Sequence, residues 1–355
     1  MRIHMRMSDI IDACITSFDV PCRLVLPLLV LVAGLPLPVV AETCAAPNPA
    51  ELKSLRHAVD AEPLQPRAIA RVHTEGTLPH QGIWDQSLAA ERDWPLMLNL
   101  ARLYRAEHRP DDLKRAEALL TAWAVTYRPS YNPIDETGLD AMIDAYRLLD
   151  TDLDPKTRSA VSSFLKTLGN GYLTRLENDL NPAKGSWINN WTSHRVKLAA
   201  LTAFALHDPA MIQRAKMAFI AQINRNIGPE GETVDFRQRD ALHYVVYDLE
   251  PLVRVAVAAK EQGMNWYGLK GASGGDLEKA LAWLKPYAMG EKTHLEFVHS
   301  TVPFDAARRK AGVKGFEGLW QPKRALRLYR MAAMLDPRYQ PIVDQLGGRK
   351  ECFIR

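Results

Sequence analysis

From Asp93 onward almost every segment of this 355-residue chain spaces its apolar side chains three and four apart, and strand-like alternation is scarce. That periodicity commits the chain to an all-α fold. Asp93-Trp94-Pro95 opens one helix, with Leu96, Leu98, Leu100, Ala101 and Leu103 as its buried positions. Asp111 or Asp112 is expected to cap the next, in which Leu113, Ala116, Leu119, Leu120 and Trp123 recur. Thr137 begins a third, through Leu139, Met142, Ile143 and Tyr146, and Pro155 at a first turn opens a fourth. The spacing predicts further helices from Asn190 and over 209–223, 239–259, 276–287 and 322–335. Residues 51–90, punctuated by Pro63, Pro66, Pro79 and Gly82, are expected to be irregular. Helices of similar length with short links stack as hairpins. A ring of hairpins, the (α/α) toroid, and an ordinary bundle both satisfy this pattern, whereas the lack of a clear repeat excludes a simple solenoid.

The N-terminus is built differently. Leu24 to Ala33 is an uncharged apolar run after Arg23, and the small-residue ending Val39-Val40-Ala41 follows. This is the order of a secretory signal cleaved after Ala41. Residues 1–41 are therefore expected to be a signal peptide, and residues 42–355 a single domain placed in the periplasm or secreted. The uncharged stretch 24–41 only reaches the lower limit for a membrane span, and Pro27, Gly34, Pro36 and Pro38 interrupt it, so no stable membrane anchor is expected. In an oxidising compartment Cys44 and Cys352, near the two ends of the mature chain, are expected to pair. No C-x-x-C, zinc-finger spacing or phosphate-binding glycine loop occurs, so no metal or cofactor is implied. The net charge of +4 suits an acidic ligand and is far below the basic density of a dedicated nucleic-acid binder.

Two stretches concentrate groups that plain packing does not require. In Trp187-Ile188-Asn189-Asn190-Trp191-Thr192-Ser193-His194-Arg195, Asn190 and His194 lie four apart on one helix face, with Trp187 and Trp191 on a neighbouring one. An amide, an imidazole and two large rings at a helix start suit a sugar pocket. The second stretch runs from Asp235 to Leu252. It places Arg237, Arg239, His243, Tyr244 and Tyr247 near one helix start, with Arg239 and His243 four apart, as are His243 and Tyr247. Asn, His, Arg and Tyr acting without a metal fit β-elimination in a uronate polymer. Arg, Asn and a donor His neutralise the carboxylate and stabilise the aci-enolate. A Tyr or His takes the C5 proton, and a Tyr hydroxyl protonates the departing O4. A tyrosine base needs a nearby cation to lower its pKa, and Arg239 is expected to supply it.

The run Ala241-Leu242-His243-Tyr244-Val245-Val246-Tyr247-Asp248-Leu249-Glu250-Pro251-Leu252 resembles the A-L-x-Y-x-x-Y-x-L-x-P-L signature of the bacterial alginate lyase family. Asn189-Asn190 on a Trp-rich helix start is similar to that family's other catalytic stretch. The segments Tyr131 to Thr137, Ala145 to Leu149, Thr293 to Phe297 and Phe304-Asp305 are similar to its broader superfamily. The resemblance implies an (α/α) toroid and eliminative cleavage of an acidic polysaccharide. It makes Asn190 and Arg239 the carboxylate-neutralising pair, His194 a neutraliser or base, and Tyr247 the acid and candidate base. Two departures bear on substrate. Trp191-Thr192-Ser193 separates Asn190 from His194, where alginate-specific members place His directly after Asn-Asn. Arg239 also lies eight residues before Tyr247, one more than the pattern, so Arg237 and Tyr244, seven apart, are alternatives.

Trp187, Trp191, Arg237, His243, Tyr244, His294 and Arg308 are the expected substrate-binding residues. Arg308-Arg309-Lys310 is either a solvated run or an outer uronate subsite. His294, Glu296 and His299 lack the H-E-x-x-H spacing and fit a polar cleft loop better than a metal site. Residues 268–275, with four glycines, are expected to form a flexible loop. Two other functions use the same composition. A glycoside hydrolase would need two carboxylates across the cleft, from Asp135, Glu136, Glu232, Asp235 and Asp240. A non-catalytic exopolysaccharide binder needs none.

Overall fold

A computed structural model describes residues 48–178 and 185–348. The expected signal peptide and both Cys44 and Cys352 lie outside the described residues. Fourteen α-helices are present among the described residues: α1 (Pro49–Asp60), α2 (Trp84–Glu91), α3 (Asp93–Glu107), α4 (Pro110–Thr126), α5 (Asp140–Leu149), α6 (Pro155–Asn178), α7 (Asn190–Ala205), α8 (Pro209–Asn226), α9 (Val234–Arg239), α10 (Leu242–Glu261), α11 (Leu277–Ala288), α12 (Pro303–Lys310), α13 (Leu326–Leu335) and α14 (Gln340–Gln345). Extended pairing among them is limited to isolated bridges such as Ile227 with Thr233.

Helices α3 and α4, α7 and α8, and α10 and α11 pair as hairpins, and α6 packs against α4, α7 and α8. Helices α3, α5, α7, α10 and α13 meet in succession as an inner layer. Helices α4, α6 and α8 back them from outside. This is an (α/α) toroid. Two of its inner helices, α7 and α10, are buried almost all round. Every residue of α7 except Trp191 is buried, and on α10 the partly exposed positions before its last turn are His243, Tyr247 and Glu250. Those three sit at i, i+4 and i+7, one stripe of a helix otherwise committed to packing.

Several boundaries differ from the sequence-based expectation. Residues 51–60, expected to be irregular, belong to α1. The Asn48 side chain accepts from the Glu51 amide and the Glu51 carboxylate accepts from the Asn48 amide, a capping box followed by Pro49 at the first position. Neither Asp111 nor Asp112 caps α4. Arg109 occupies the cap, and Asp112 is buried one turn in, where Arg56 grips both carboxylate oxygens at 2.5 and 2.7 Å. The helix expected over 239–259 is two helices. Asp240 adopts a left-handed conformation (φ 48°) that ends α9 and restarts the chain at Ala241. Arg239 and His243 therefore belong to different helices. The glycine-rich segment 268–275 is tied down, with the Ser273 amide donating to Asn224 Oδ1 at 2.9 Å and the Gly271 amide to the Gly275 carbonyl. A Cβ on Gly275 would meet the Ile227 carbonyl oxygen at 2.1 Å, so that close approach requires glycine.

The turn that leads into α5 is organised by one buried carboxylate. Glu136 accepts from the Tyr127 hydroxyl at 2.8 Å, the Ser130 hydroxyl at 3.0 Å, the backbone amides of Ser130 and Tyr131, and the Tyr172 hydroxyl. Removing it strands several buried donors. Glu136→Ala is expected to lower unfolding stability by about 3 kcal/mol or more, read as a shift of the urea midpoint at unchanged slope.

Candidate active site

A cavity of about 150 Å³ opens between the inner helices. Its walls are Thr137, Gly138 and Asp140 at the start of α5, His194 and Lys197 on α7, Tyr247, Glu250, Pro251 and Arg254 on α10, and Arg327 and Met331 on α13. Each helix contributes residues three or four apart, so the polar lining is the helical period displayed on four facing surfaces. Gly138 lets the approach to α5 lie against the Trp94 ring, where a Cβ would sit 2.5 Å from a ring carbon.

His194 and Tyr247 face each other with ring centroids 4.4 Å apart. The His194 Nδ1 shares a 2.7 Å hydrogen bond with Thr137 Oγ1, while Nε2 is buried without a hydrogen-bond partner. Burial first, and the Lys197 charge second, hold the His194 pKa well below its usual value, so the ring is neutral. Lys197 is itself buried. Its ammonium donates to Asp140 Oδ2 at 2.7 Å, the Thr137 carbonyl at 2.8 Å and Thr137 Oγ1 at 2.9 Å. Burial lowers its pKa, opposed by the charge of Asp140. Burial raises the Tyr247 phenol, with Tyr244 and Glu250 adding to the rise and Arg308 opposing it. The phenol therefore stays protonated. Arg239, the cation expected to lower it, stacks on Tyr244 instead, 3.9 Å from that ring's centroid.

Asn190 and Arg239 lie outside the cavity lining and join it through neighbours. Asp235, buried at the N-terminus of α7, accepts from the Asn190 backbone amide at 2.7 Å and also from its side-chain amide. This placement of a carboxylate at a helix start is favourable. Burial raises the Asp235 pKa to about 6 against the Asn190 hydrogen bonds and the charge of Arg239. Arg239 is ion-paired with Asp305. Tyr244 stands edge-on to Tyr247 at 6.2 Å, and its hydroxyl accepts from Arg308 Nη1 at 3.0 Å. The chain thus brings Tyr244, Arg239 and Arg308 to one side of Tyr247. Arg237 is exposed and pairs with Glu232 at 3.2 Å, so of the two candidate arginines Arg239 is the one beside the tyrosines.

The remaining expected binding residues have identifiable contacts. Arg195 lies over the Trp187 ring at 3.9 Å and near Trp191 at 5.6 Å, so both tryptophans flank one guanidinium. His243 Nδ1 is 3.1 Å from Arg324, and burial followed by the charge of Arg324 lowers its pKa to about 4. His294, Glu296 and His299 brace the Asp240 break. His294 Nε2 lies 2.9 Å from the Asp240 carbonyl, His299 engages the Asp240 carboxylate, and Glu296 accepts from the Leu242 and His243 amides at the start of α10. The five carboxylates available to a hydrolase are engaged as well. Asp135 accepts from the Thr74 and Glu75 amides and meets His73, Glu136 holds the turn before α5, Glu232 pairs with Arg237, Asp235 holds Asn190, and Asp240 meets His299. Thr137, Lys197, Glu250, Arg254 and Arg327 also line the cavity, and none of them is among the site residues expected from the sequence. Lys197 follows His194 by three and Glu250 follows Tyr247 by three, charged positions on otherwise apolar helices that carried the signal.

A protein-family model described as alginate lyase matches residues 42–294. Solved structures similar to the chain include an alginate lyase from Bacteroides ovatus, at 14% identity over 83% of this chain and 89% of that one, with a TM-score of 0.61. Alginate lyase A1-III from Sphingomonas species A1 matches at 18% identity over 84% and 89%, with a TM-score of 0.54. A histidine-to-alanine variant of A1-III complexed with tetrasaccharide matches at 16% identity over 80% and 86%, with the same TM-score. No curated protein matches the chain. Fold and family together define a polysaccharide lyase on an (α/α) toroid. The chain belongs to the alginate lyase family.

The neutral His194 has a consequence for pH. An unfolded histidine titrates near ~6.5, whereas the folded ring stays neutral well below that. Below that pH the unfolded state binds the extra proton, so the stability contribution present above it is lost as pH falls. Urea titrations of wild type and His194→Gln at pH 7.5 and 5.5 are expected to show the wild type losing ground at up to about 1.4 kcal/mol per pH unit below ~6.5. A pH-independent difference would mean that His194 titrates normally.

Proposed function

We propose that the protein cleaves a uronate polymer, alginate or a related polyuronate, by β-elimination after export to the periplasm. The observation that carries the reading is the facing pair His194 and Tyr247 in a cavity that also presents the guanidinium groups of Arg254 and Arg327. Arg254 gives Nη2 to Asp144 at 2.7 and 2.8 Å and leaves Nη1 buried without a partner. Arg327 has no hydrogen bond or ion pair among the described residues. Such groups suit a uronate carboxylate, whose charge must be neutralised before C5 can lose a proton. Tyr247, kept protonated by burial, is the acid that delivers a proton to O4 as the C4–O4 bond breaks. The C5 proton passes to a second titratable group of the cavity, for which His194 and Glu250 are the candidates. Arg239 and Asn190, the pair the family resemblance implies, support the site from beyond Tyr244 and from the start of α7. Engagement of the five alternative carboxylates in structural hydrogen bonds favours elimination over hydrolysis, and the named substrates of the similar structures favour alginate.

Incubation with alginate, polymannuronate, polyguluronate, glucuronan and hyaluronan-type polymers is expected to give unsaturated uronate ends with new near-ultraviolet absorbance on at least one. Reducing ends without that chromophore would point to hydrolysis, and calorimetric binding without turnover to a binder. Tyr247→Phe is expected to reduce kcat by at least about a hundredfold while oligouronate affinity survives, the scale of a lost general acid.

A further inference from the structure

Resting on the lyase reading, the geometry points to a division of labour within the cavity: Lys197, acting through Thr137, holds His194 with its proton on Nε2, so that His194 is a hydrogen-bond donor and the Glu250 carboxylate accepts the C5 proton.

A lysine ammonium has three donors and no acceptor. Those of Lys197 meet Asp140 Oδ2, the Thr137 carbonyl and Thr137 Oγ1, all within 2.9 Å, so its donor set is filled. Thr137 Oγ1 thereby receives a hydrogen bond and still owns a hydroxyl proton. Its other neighbour within hydrogen-bond distance is His194 Nδ1, at 2.7 Å. The Thr137 hydroxyl donates there, Nδ1 is the acceptor, and a neutral imidazole must then carry its proton on Nε2. Nε2 itself is buried with no hydrogen-bond partner among the described residues, on a side chain that lines the cavity.

A histidine held this way has no lone pair to offer C5. Glu250 does. It lines the same cavity less than one turn along α10 from Tyr247 and has no hydrogen bond or ion pair among the described residues. Burial raises its pKa, opposed by the charges of Arg327 and Lys197, which moves a carboxylate toward useful basicity. In the step, the C5–H pair becomes the C4=C5 double bond and its proton goes to Glu250. The C4–O4 bond breaks, O4 takes the Tyr247 proton, and Tyr247 recovers a proton from Glu250 through solvent. The Nε2–H of His194 hydrogen-bonds the aci-enolate while it exists.

The tautomer is read without substrate. In ¹⁵N-labelled protein at pH 7.5, His194 is expected to show the pattern of a protonated Nε2 and bare Nδ1. Thr137→Val, checked for a native melting transition, is expected to shift that pattern, and Thr137→Ser to restore it. A protonated Nδ1, or a pattern unchanged in Thr137→Val, overturns the relay. On whichever polymer the wild type converts, Glu250→Gln is expected to lower kcat at least about a hundredfold with KM changed little, the scale of a lost general base. His194→Gln, which keeps a donor, is expected to lose less than His194→Leu. Near-normal kcat in Glu250→Gln overturns the base assignment. If wild type gives no unsaturated product on any uronate polymer, the lyase reading falls, while the ¹⁵N spectra still decide the relay.

Discussion

Helix α7 is buried around almost its whole circumference, and most of the polar groups it carries are answered by neighbouring elements. An unpaired buried donor or charge costs more than a typical hydrogen bond contributes. The answers determine much of the site. Asp235 reaches in from α9 to Asn190, Asp248 from α10 to Ser193 at 2.6 Å, and Asp140 from α5 to Lys197. Gln222 and Asn226 close the network from α8, meeting the Asn189 carbonyl and the Asp248 carboxylate. One helix thereby fixes four others in rotation and height.

The same requirement explains why the cavity is polar. Burying Lys197 beside Asp140 is tolerable because its three donors are filled, and a filled set leaves no freedom in how Thr137 and His194 share their protons. Arg254, anchored to Asp144, and Arg327, whose charge acts on Asp140 and Glu250, add positive charge to the same wall. A small enclosed space of this kind strengthens each interaction with an anionic sugar relative to water. The second tyrosine plays a different part. Tyr244 lies beneath Arg239, accepts from Arg308 and packs edge-on to Phe297, so it transmits the position of α12 and the loop 294–299 to Tyr247.

The break at Asp240 sets the direction of α10. Asp240 and Phe297 both take left-handed conformations, and the Phe297 amide donates to the Asp240 carbonyl at 2.8 Å. For a bulky residue that conformation is costly, and Phe297 is held in it by this bond and by stacking on Phe316 at 4.9 Å. Glu296 then satisfies the first amides of α10, which has no side-chain cap of its own. Residues with the look of metal ligands in the sequence thus share a structural task, the anchoring of the helix that bears Tyr247.

What the sequence determined by itself was the helical class, the order of most helices and the two stretches that hold His194 and Tyr247, because helical periodicity and local polar-aromatic composition are properties of neighbouring residues. Motif similarity named the family for the same reason. Helix α1 was legible in the Asn48-Pro49-x-Glu51 capping pattern but was hidden by the prolines that follow it. Only the tertiary structure decided which polar residues meet. Lys197 and Asp140 are 57 positions apart, Asn190 and Asp235 are 45, and Arg254 and Asp144 are 110. It also decided that Arg239 serves Tyr244, that Tyr247 is raised rather than lowered in pKa, and that Glu250 and Arg327 share a cavity with His194. Burial and through-space charge set those outcomes, and both depend on how hairpins remote in the chain close around one another.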